Sequence, residues 1–141
     1  MEIWLDTTDI KTIQLGRKLG VLSGVTTNPS LISESGHNLE EVLKEILKAQ
    51  SKPVTVQVTA PDHQTIVEQA ETLRDYSERI IVKIPVTQEG LKAMTALSHL
   101  QFPIMATAIF SANQALFACR AGAKYLAPYY SRMNMPLETL E

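Results

Sequence analysis

The sequence predicts an α/β fold with a parallel sheet, and three features of its 141 residues support this prediction. Short apolar runs alternate along the chain with longer amphipathic stretches. The short runs are continuously apolar, which is typical of strands that helices cover on both faces of a sheet. The units recur about every 20–27 residues, and this spacing suits a β/α barrel or a doubly wound sheet.

Six short runs are predicted as strands because they are rich in β-branched and other apolar residues. In chain order they cover residues 3–5, 21–25, 54–58, 80–84, 103–107 and 125–127. Pro85 stops the fourth run and Pro128 closes the sixth, since proline disfavours continuation of regular structure.

Helices are predicted between these strands. One follows Thr7-Thr8-Asp9 and ends near Leu19, and segment 39–49 has the i, i+3, i+4, i+7 spacing of an amphipathic helix. Asp62 is a suitable N-cap for a helix over 63–76, and Ser111 is suitable for one that ends near Gly122. A further helix follows residues 87–90.

Length and composition favour one soluble globular domain over residues 1–141. The chain is 45% hydrophobic and 20% charged, with a net charge of -2. Charges of both signs are mixed, so neither a nucleic-acid partner nor a membrane surface is expected. Cys119 is the only cysteine, and the N-terminus lacks the regions of a signal peptide, which predicts a cytoplasmic location.

Polar residues lie at or just beyond the carboxyl end of each predicted strand, where β/α proteins place their active sites. The sequence therefore predicts that these side chains form a site. They are Asp6 on the first strand, Thr26, Thr27 and Asn28 on the second, Gln57 on the third, Lys83 on the fourth, Thr107 on the fifth, and Tyr129 and Arg132 after the sixth.

Lys83 is the least expected of these residues because it lies within the apolar run 80–86. Lysines are seldom buried, and desolvation lowers the pKa of a buried amine. A neutral amine attacks a ketone to form an iminium, which makes Lys83 a candidate nucleophile. An edge-strand lysine that keeps its ammonium in water is an alternative that the run leaves open.

The candidates on the first three strands also have structural alternatives. Asp6 suits a general base or a hydrogen-bond anchor, but equally the N-cap of the following helix. Gln57 in an apolar strand needs hydrogen-bond partners, whether catalytic or structural. Asn28 before Pro29 is also typical of a turn.

The later candidates are similarly open. Thr107 is also typical of an ordinary strand residue, Tyr129 of an aromatic that only packs, and Arg132 of a residue that either binds a phosphate or lies exposed on the surface.

The glycines are not in a GxGxxG or GxxxxGK[ST] arrangement, and the histidines lack metal-ligand spacing. No cofactor and no metal are therefore predicted.

Several sequence blocks resemble the small transaldolase and fructose-6-phosphate aldolase family, in the order and spacing of that family. They are Leu5-Asp6-Thr7-Thr8, Gly24-Val25-Thr26-Thr27-Asn28-Pro29-Ser30, Val82-Lys83-Ile84-Pro85-Val86-Thr87 with Glu89-Gly90-Leu91, Ala106-Thr107-Ala108-Ile109-Phe110, and Ala121-Gly122-Ala123 through Ala127-Pro128-Tyr129. The resemblance implies a (β/α)₈ TIM barrel, sugar-phosphate substrates and a class I mechanism.

The resemblance also implies a role for each candidate. Lys83 matches the Schiff-base lysine, and Asp6 and Asn28 match residues that hydrogen-bond the substrate hydroxyls. Thr26 is also expected to bind the substrate. Gln57, Thr107 and Tyr129 match residues that hold the water that moves protons. Arg132 matches the arginine that faces the sugar phosphate.

Gln57 and Tyr129 resemble the aldolase branch, because transaldolases tend to have Glu and Phe at these positions. The sequence therefore predicts an aldolase that cleaves fructose 6-phosphate into dihydroxyacetone and glyceraldehyde 3-phosphate, or forms it from them. One alternative is a transaldolase of the pentose phosphate pathway that transfers a dihydroxyacetone unit from sedoheptulose 7-phosphate or fructose 6-phosphate. Another is an inactive, truncated barrel.

The length departs from the family pattern. A barrel of this type needs about 200 residues or more, whereas the chain has about six βα units in 141 residues. A C-terminally truncated barrel is therefore expected, and the strand-seven serine of the family has no counterpart. Small members of the family assemble into rings, so a homo-oligomer is also expected.

Overall fold

The structure is a computed structural model that describes residues 1–130. The strands in this range are β1 (Ile3–Asp6), β2 (Leu22–Thr26), β3 (Val54–Gln57), β4 (Ile80–Pro85), β5 (Ile104–Ile109) and β6 (Tyr125–Pro128). The helices are α1 (Ile10–Lys18), α2 (Pro29–Glu34), α3 (Leu39–Ala49), α4 (His63–Tyr76), α5 (Gln88–His99) and α6 (Ala112–Arg120). Each predicted strand is present, with ends that differ by at most two residues.

The chain divides into two compact units. The first contains Met1–Gln57 and Thr72–Ile81, and the second contains Val58–Glu71 and the chain from Val82. The strand pairings described within the units are all parallel, and the strand order follows the chain from β1 to β6. A doubly wound sheet reverses its strand order at a switch point, so the sequential order is that of a β/α barrel. The predicted fold class is confirmed, while a single domain over 1–141 stays a prediction.

In the first unit, apolar side chains of the helices and strands form the core. Ile13 of α1 and Ile46 of α3 are fully buried, as are Val25 and Val54 of the strands. Helix α1 contacts α3. The buried positions of α3 follow the amphipathic spacing of the sequence, which confirms the predicted helix over 39–49.

Two arginines bind carbonyl groups at the carboxyl end of α3. Arg79 donates from Nη1 to the Gln50 carbonyl at 2.6 Å and from Nη2 to the Leu47 carbonyl at 2.8 Å. Arg17 donates from Nη1 to the Ala49 carbonyl at 3.1 Å. Helix ends leave carbonyls without partners, and cations stabilise this end of the helix dipole. These arginines therefore fix the end of α3 that leads into β3.

The second unit has a core formed by β4 from Val82 onward, by β5 and by the helices that follow them. Val82, Ile84, Ile104 and Ala106 on the strands and Met94 on α5 are fully buried. Helix α5 contacts both α6 and β5. Continuous burial along β4 and β5 explains why their sequences lack the alternation of half-exposed strands.

Helix α2 was not predicted from the sequence. Asn28 is its N-cap, with Oδ1 accepting from the Leu31 amide at 3.0 Å, and Pro29 is its first residue. An asparagine cap followed by proline at the first helical position is a favoured helix start. Asn28 and Pro29, which are also typical of a turn, therefore begin α2.

None of the helices in residues 1–130 combines the length and the hydrophobicity that a membrane span requires.

Candidate active site

In the first unit, the carboxyl ends of β1 and β2 bring Asp6 and Thr26 together. The two residues are register partners, and Thr26 Oγ1 donates to Asp6 Oδ1 at 2.7 Å. A carboxylate has several lone pairs, so this hydrogen bond orients Asp6 while leaving it able to accept from another donor. The pair is suited to binding a hydroxyl group.

The N-cap of α1 is Asp9 and not Asp6. The Asp9 carboxylate accepts from the Thr12 amide at 3.0 Å and the Lys11 amide at 3.3 Å, and also from the Thr12 hydroxyl at 2.6 Å. These hydrogen bonds, led by that of the Thr12 hydroxyl, lower the pKa of Asp9. The structural alternative for Asp6 is therefore wrong.

The other candidates of the first unit differ in what they offer a ligand. Asn28 uses its side-chain oxygen in the cap of α2, and its amide nitrogen is a donor on the other branch of the side chain. Gln57 is the last residue of β3 and is partly exposed. Thr27 is fully buried and donates to the Thr55 carbonyl at 2.7 Å, which makes it a structural residue.

Lys83 is buried in the middle of the second unit's apolar strand. Its residue exposure is 7%, and the adjacent Val82 and Ile84 are fully buried. On one side, β4 pairs with β5 through the Lys83–Met105 register. On the other side, the Lys83 carbonyl accepts from the Val58 amide at 3.0 Å. The strand is hydrogen-bonded on both sides, so the edge-strand alternative for Lys83 is wrong.

Thr107 lies on the same face of the sheet as Lys83. The register pairs Lys83 with Met105 and Pro85 with Thr107, and residues two apart on a strand share a face. Thr107 is 2% exposed and is one pleat nearer the carboxyl end. Strand spacing and rise place the Lys83 and Thr107 Cα atoms about 8 Å apart, a separation that the long lysine side chain can bridge.

Tyr129 follows β6 at the same end of the second unit. Its amide donates to the Ile109 carbonyl at 3.0 Å. Its ring packs on Phe110, with centroids 5.2 Å apart and planes inclined by 36°. The Phe110 amide donates to Gln114 Oε1 at 2.8 Å. The position of the Tyr129 ring is thus tied to the end of β5.

The segment after Lys83 is held by a close approach that sequence reasoning missed. A Cβ atom at Gly90 would overlap the Pro85 carbonyl oxygen, so only glycine fits there without movement. Thr87 is the N-cap of α5 and accepts from the Gly90 amide at 3.0 Å. The threonine cap is a visible sequence signal, but the approach of Gly90 to β4 has no signal in a single sequence.

Sequence reasoning also missed the ion cluster around Glu89. The Glu89 carboxylate accepts from the His63 amide at 3.0 Å and lies 2.7 Å from His63 Nδ1. Lys92 Nζ donates to its other oxygen at 2.7 Å. The hydrogen bond from Lys92, followed by those from His63, lowers the pKa of Glu89 to about 2. The cluster links the start of α4 to α5.

Arg132 lies outside the described residues, so its predicted contact with a phosphate stays a prediction. Among the other candidates, the structure joins Asp6 to Thr26 in the first unit. In the second unit it places Lys83 and Thr107 on one face, with Tyr129 beside the end of β5.

The fold resembles that of a solved oxidase. The crystal structure of a mandelate oxidase variant with 4-Br-2-hydroxy-methylphenylacetate matches with a TM-score of 0.55 and 13% identity, covering 89% of this chain and 49% of that chain. At this identity the likeness is one of fold alone.

Sequence comparisons identify closer relatives. A probable transaldolase of Coprothermobacter proteolyticus is 43% identical over 134 residues, which are 95% of this chain and 62% of the relative. A probable transaldolase of Geobacter metallireducens is 42% identical over 95% of this chain and 63% of the relative. The chain thus spans just under two thirds of the length of these relatives. The family model described as Transaldolase/Fructose-6-phosphate aldolase matches residues 3–140, and the chain therefore belongs to that family.

Proposed function

We propose that the protein transfers a three-carbon dihydroxyacetone unit between sugar phosphates, as a transaldolase that forms a Schiff base on Lys83. The observation that carries the proposal is the burial of Lys83, 7% exposed on an apolar strand, on the same face as Thr107. Family membership supports the reaction class. The relatives' name, probable transaldolase, favours transfer over the simple aldol cleavage that Gln57 and Tyr129 suggest.

Lys83 is the nucleophile in this proposal. Its neutral amine adds to the C2 ketone of fructose 6-phosphate, and loss of water gives an iminium. The C4 hydroxyl then loses its proton, the C3–C4 bond breaks, and glyceraldehyde 3-phosphate leaves. The electron pair of that bond moves into the iminium to give an enamine. The enamine adds to the aldehyde of erythrose 4-phosphate, and hydrolysis releases sedoheptulose 7-phosphate and Lys83.

The other candidates bind the substrate or move protons. A water held by Thr107, Gln57 and Tyr129 takes the proton from the C4 hydroxyl and later returns one. Asp6, oriented by the Thr26 hydroxyl, and Asn28 hydrogen-bond the substrate hydroxyls, and Thr26 lines the same subsite. These roles rest on the family resemblance and on the position of each residue at a strand's carboxyl end.

The sugar phosphate itself calls for a cationic partner, which we propose is Arg132. A guanidinium binds a phosphate through two parallel N–H groups.

An expected homo-oligomer also stays a proposal, and light scattering of the purified chain tests it.

Borohydride trapping tests the Schiff base. Incubation with fructose 6-phosphate and borohydride, followed by peptide mass spectrometry, is expected to show a reduced adduct on Lys83. Lys83→Met should abolish the adduct, whereas the control Lys18→Met, at an exposed lysine that ends α1, should keep it. If the folded wild-type protein gives no adduct on Lys83, the mechanism is wrong and the inactive alternative is favoured.

The second candidate is the aldolase that cleaves fructose 6-phosphate without an acceptor. Tyr129 favours it, because a phenol near the enamine promotes protonation over transfer. Adding erythrose 4-phosphate separates the two reactions. Formation of sedoheptulose 7-phosphate supports the transaldolase, while free dihydroxyacetone as the only three-carbon product, even with acceptor present, supports the aldolase.

A further inference from the structure

Ala108 has a left-handed backbone, with φ of 56°, between Thr107 and Ile109 on β5. Among the described residues, Gln101 is the other non-glycine residue with a positive φ, at 59°. L-residues with a Cβ atom avoid this region, and when one occupies it within a strand the surrounding structure has to impose it. The conformation of Ala108 therefore needs a structural explanation.

The positive φ of Gln101 is explained by its position after a helix, and this explanation does not apply to Ala108. Gln101 directly follows Leu100, the C-cap of α5, and a left-handed residue commonly ends a helix at this point. Ala108 lies inside a strand, at the carboxyl end where the candidate residues of the second unit are found.

Ala108 forms a β-bulge. Ala106 pairs with Leu126 and Ile109 pairs with Pro128, and the register shifts between these two pairs. Three steps along β5 therefore match only two steps along β6. One residue of β5 is extra, as in a bulge, and bulges occur often beside active sites, where they redirect side chains.

The bulge changes which residue of β6 lies opposite Ile109, the residue whose carbonyl accepts from the Tyr129 amide. Without the extra residue, the pairing that joins Ala106 to Leu126 would set Ile109 opposite residue 129 instead of Pro128. A shift of one residue exchanges the faces of all later side chains. With the bulge, the Tyr129 amide binds the Ile109 carbonyl at 3.0 Å and its ring packs on Phe110.

We propose that Ala108 is a positioning residue, whose left-handed bulge sets the Tyr129 phenol relative to the Thr107 hydroxyl for the proton-transfer steps. The inference rests on the proposed function. It assigns the bulge to proton transfer and not to substrate binding, because Ala108 forms no part of the proposed subsite for the substrate hydroxyls. Disturbing the bulge should therefore change kcat and leave KM nearly unchanged.

Three variants test this role. Ala108→Gly adopts a positive φ without strain, so kcat and KM should each stay within about twofold of wild type. In Ala108→Val the β-branched side chain opposes the same φ, and kcat should fall at least about tenfold, since a misplaced proton-transfer group loses much of its catalytic effect. Gln101→Val places the same strain at the helix end as a matched control.

Thermal unfolding and kinetics are measured together for all three. Ala108→Val and Gln101→Val should lower Tm to a similar extent, but Gln101→Val should keep kcat. If Ala108→Val keeps kcat, or if Gln101→Val loses kcat in proportion to its loss of Tm, the strain at Ala108 is only structural and the inference is overturned.

A readout without substrate separates this inference from the proposed function. If wild type gives no borohydride adduct, the proposed function fails and Ala108 has no catalytic role to support. The bulge geometry is then judged by NMR contacts between the ring protons of Phe110 and Tyr129. Their retention in Ala108→Gly and loss in Ala108→Val supports the positioning of Tyr129 by Ala108, whereas retention in both variants overturns it.

Discussion

Replacing Gly90 with alanine tests how the segment after Lys83 is held. Gly90 is buried near the start of α5, and a Cβ atom there would overlap the carbonyl oxygen of Pro85. That oxygen belongs to the last residue of β4 and accepts from the Thr87 amide at 2.9 Å. A backbone oxygen cannot rotate away as a side chain does, so α5 or the end of β4 has to move.

Two opposing effects set the magnitude. Glycine to alanine within a helix stabilises by up to about 1 kcal/mol, and overpacking a tight site destabilises by about 1–3 kcal/mol. Since the neighbour is backbone, the upper part of that range applies, and a net loss of about 2 kcal/mol is expected. For a chain of this size, Tm should fall by about 8 °C.

Gly16→Ala in α1 is the matched control. A Cβ atom at Gly16 meets Leu5 Cδ1 at 2.9 Å, which is the end of a flexible side chain and can shift. This variant should be unchanged or more stable by up to about 1 kcal/mol. Urea unfolding measures both variants, and borohydride trapping should be slower in Gly90→Ala. If Gly90→Ala is as stable as wild type, or if the two variants lose equal stability, the Pro85 carbonyl does not restrict residue 90 to glycine.

Three further predictions concern single side chains. Arg79→Ala removes two charged hydrogen bonds to the end of α3 and should lower the free energy of unfolding by about 2–3 kcal/mol. In urea unfolding, Arg79→Lys should recover only part of this loss, because lysine lacks the planar guanidinium that reaches two carbonyls. Full recovery would contradict this role of the guanidinium. The pKa of Glu89 is lowered from 4.5 to about 2 in the folded chain, so its stabilising contribution is complete above a pH of about 4.5 and lost as the pH falls through about 2. In Glu89→Gln, the urea unfolding midpoint should therefore depend less on pH over that range than in wild type. An equal pH dependence in the two proteins would argue against a stabilising role of the cluster. Lys83→Met should abolish the adduct while the chain stays folded, because methionine has an apolar side chain of similar length that suits the buried site of Lys83; loss of cooperative unfolding in calorimetry would count against this.

Periodicity made the regular elements predictable. The helix over 39–49 and the helix over 63–76 agree with α3 and α4 at both ends, because amphipathic spacing reports directly which face is buried. Helix α2 was missed because Asn28-Pro29 is consistent with both a turn and a helix start, and a helix of six residues has too little periodicity to decide.

Local sequence could not assign the two aspartates before α1. Asp6 and Asp9 both precede the helix, and either side chain suits an N-cap. In the structure Asp9 is the N-cap, because its carboxylate accepts from the amides two and three residues later in the chain. Asp6 instead pairs with Thr26, a residue that only the parallel register of β1 and β2 brings within reach.

The sequence by itself determined the α/β class, the six strands and the identity of the polar residues at their ends, because these depend on composition and spacing along the chain. Tertiary structure decided which of those residues meet and how. The burial of Lys83, the contact of Gly90 with Pro85 and the bulge at Ala108 all depend on neighbours far along the chain. A strand pattern predicts which residues have a buried face, but the register with the next strand decides what each side chain contacts.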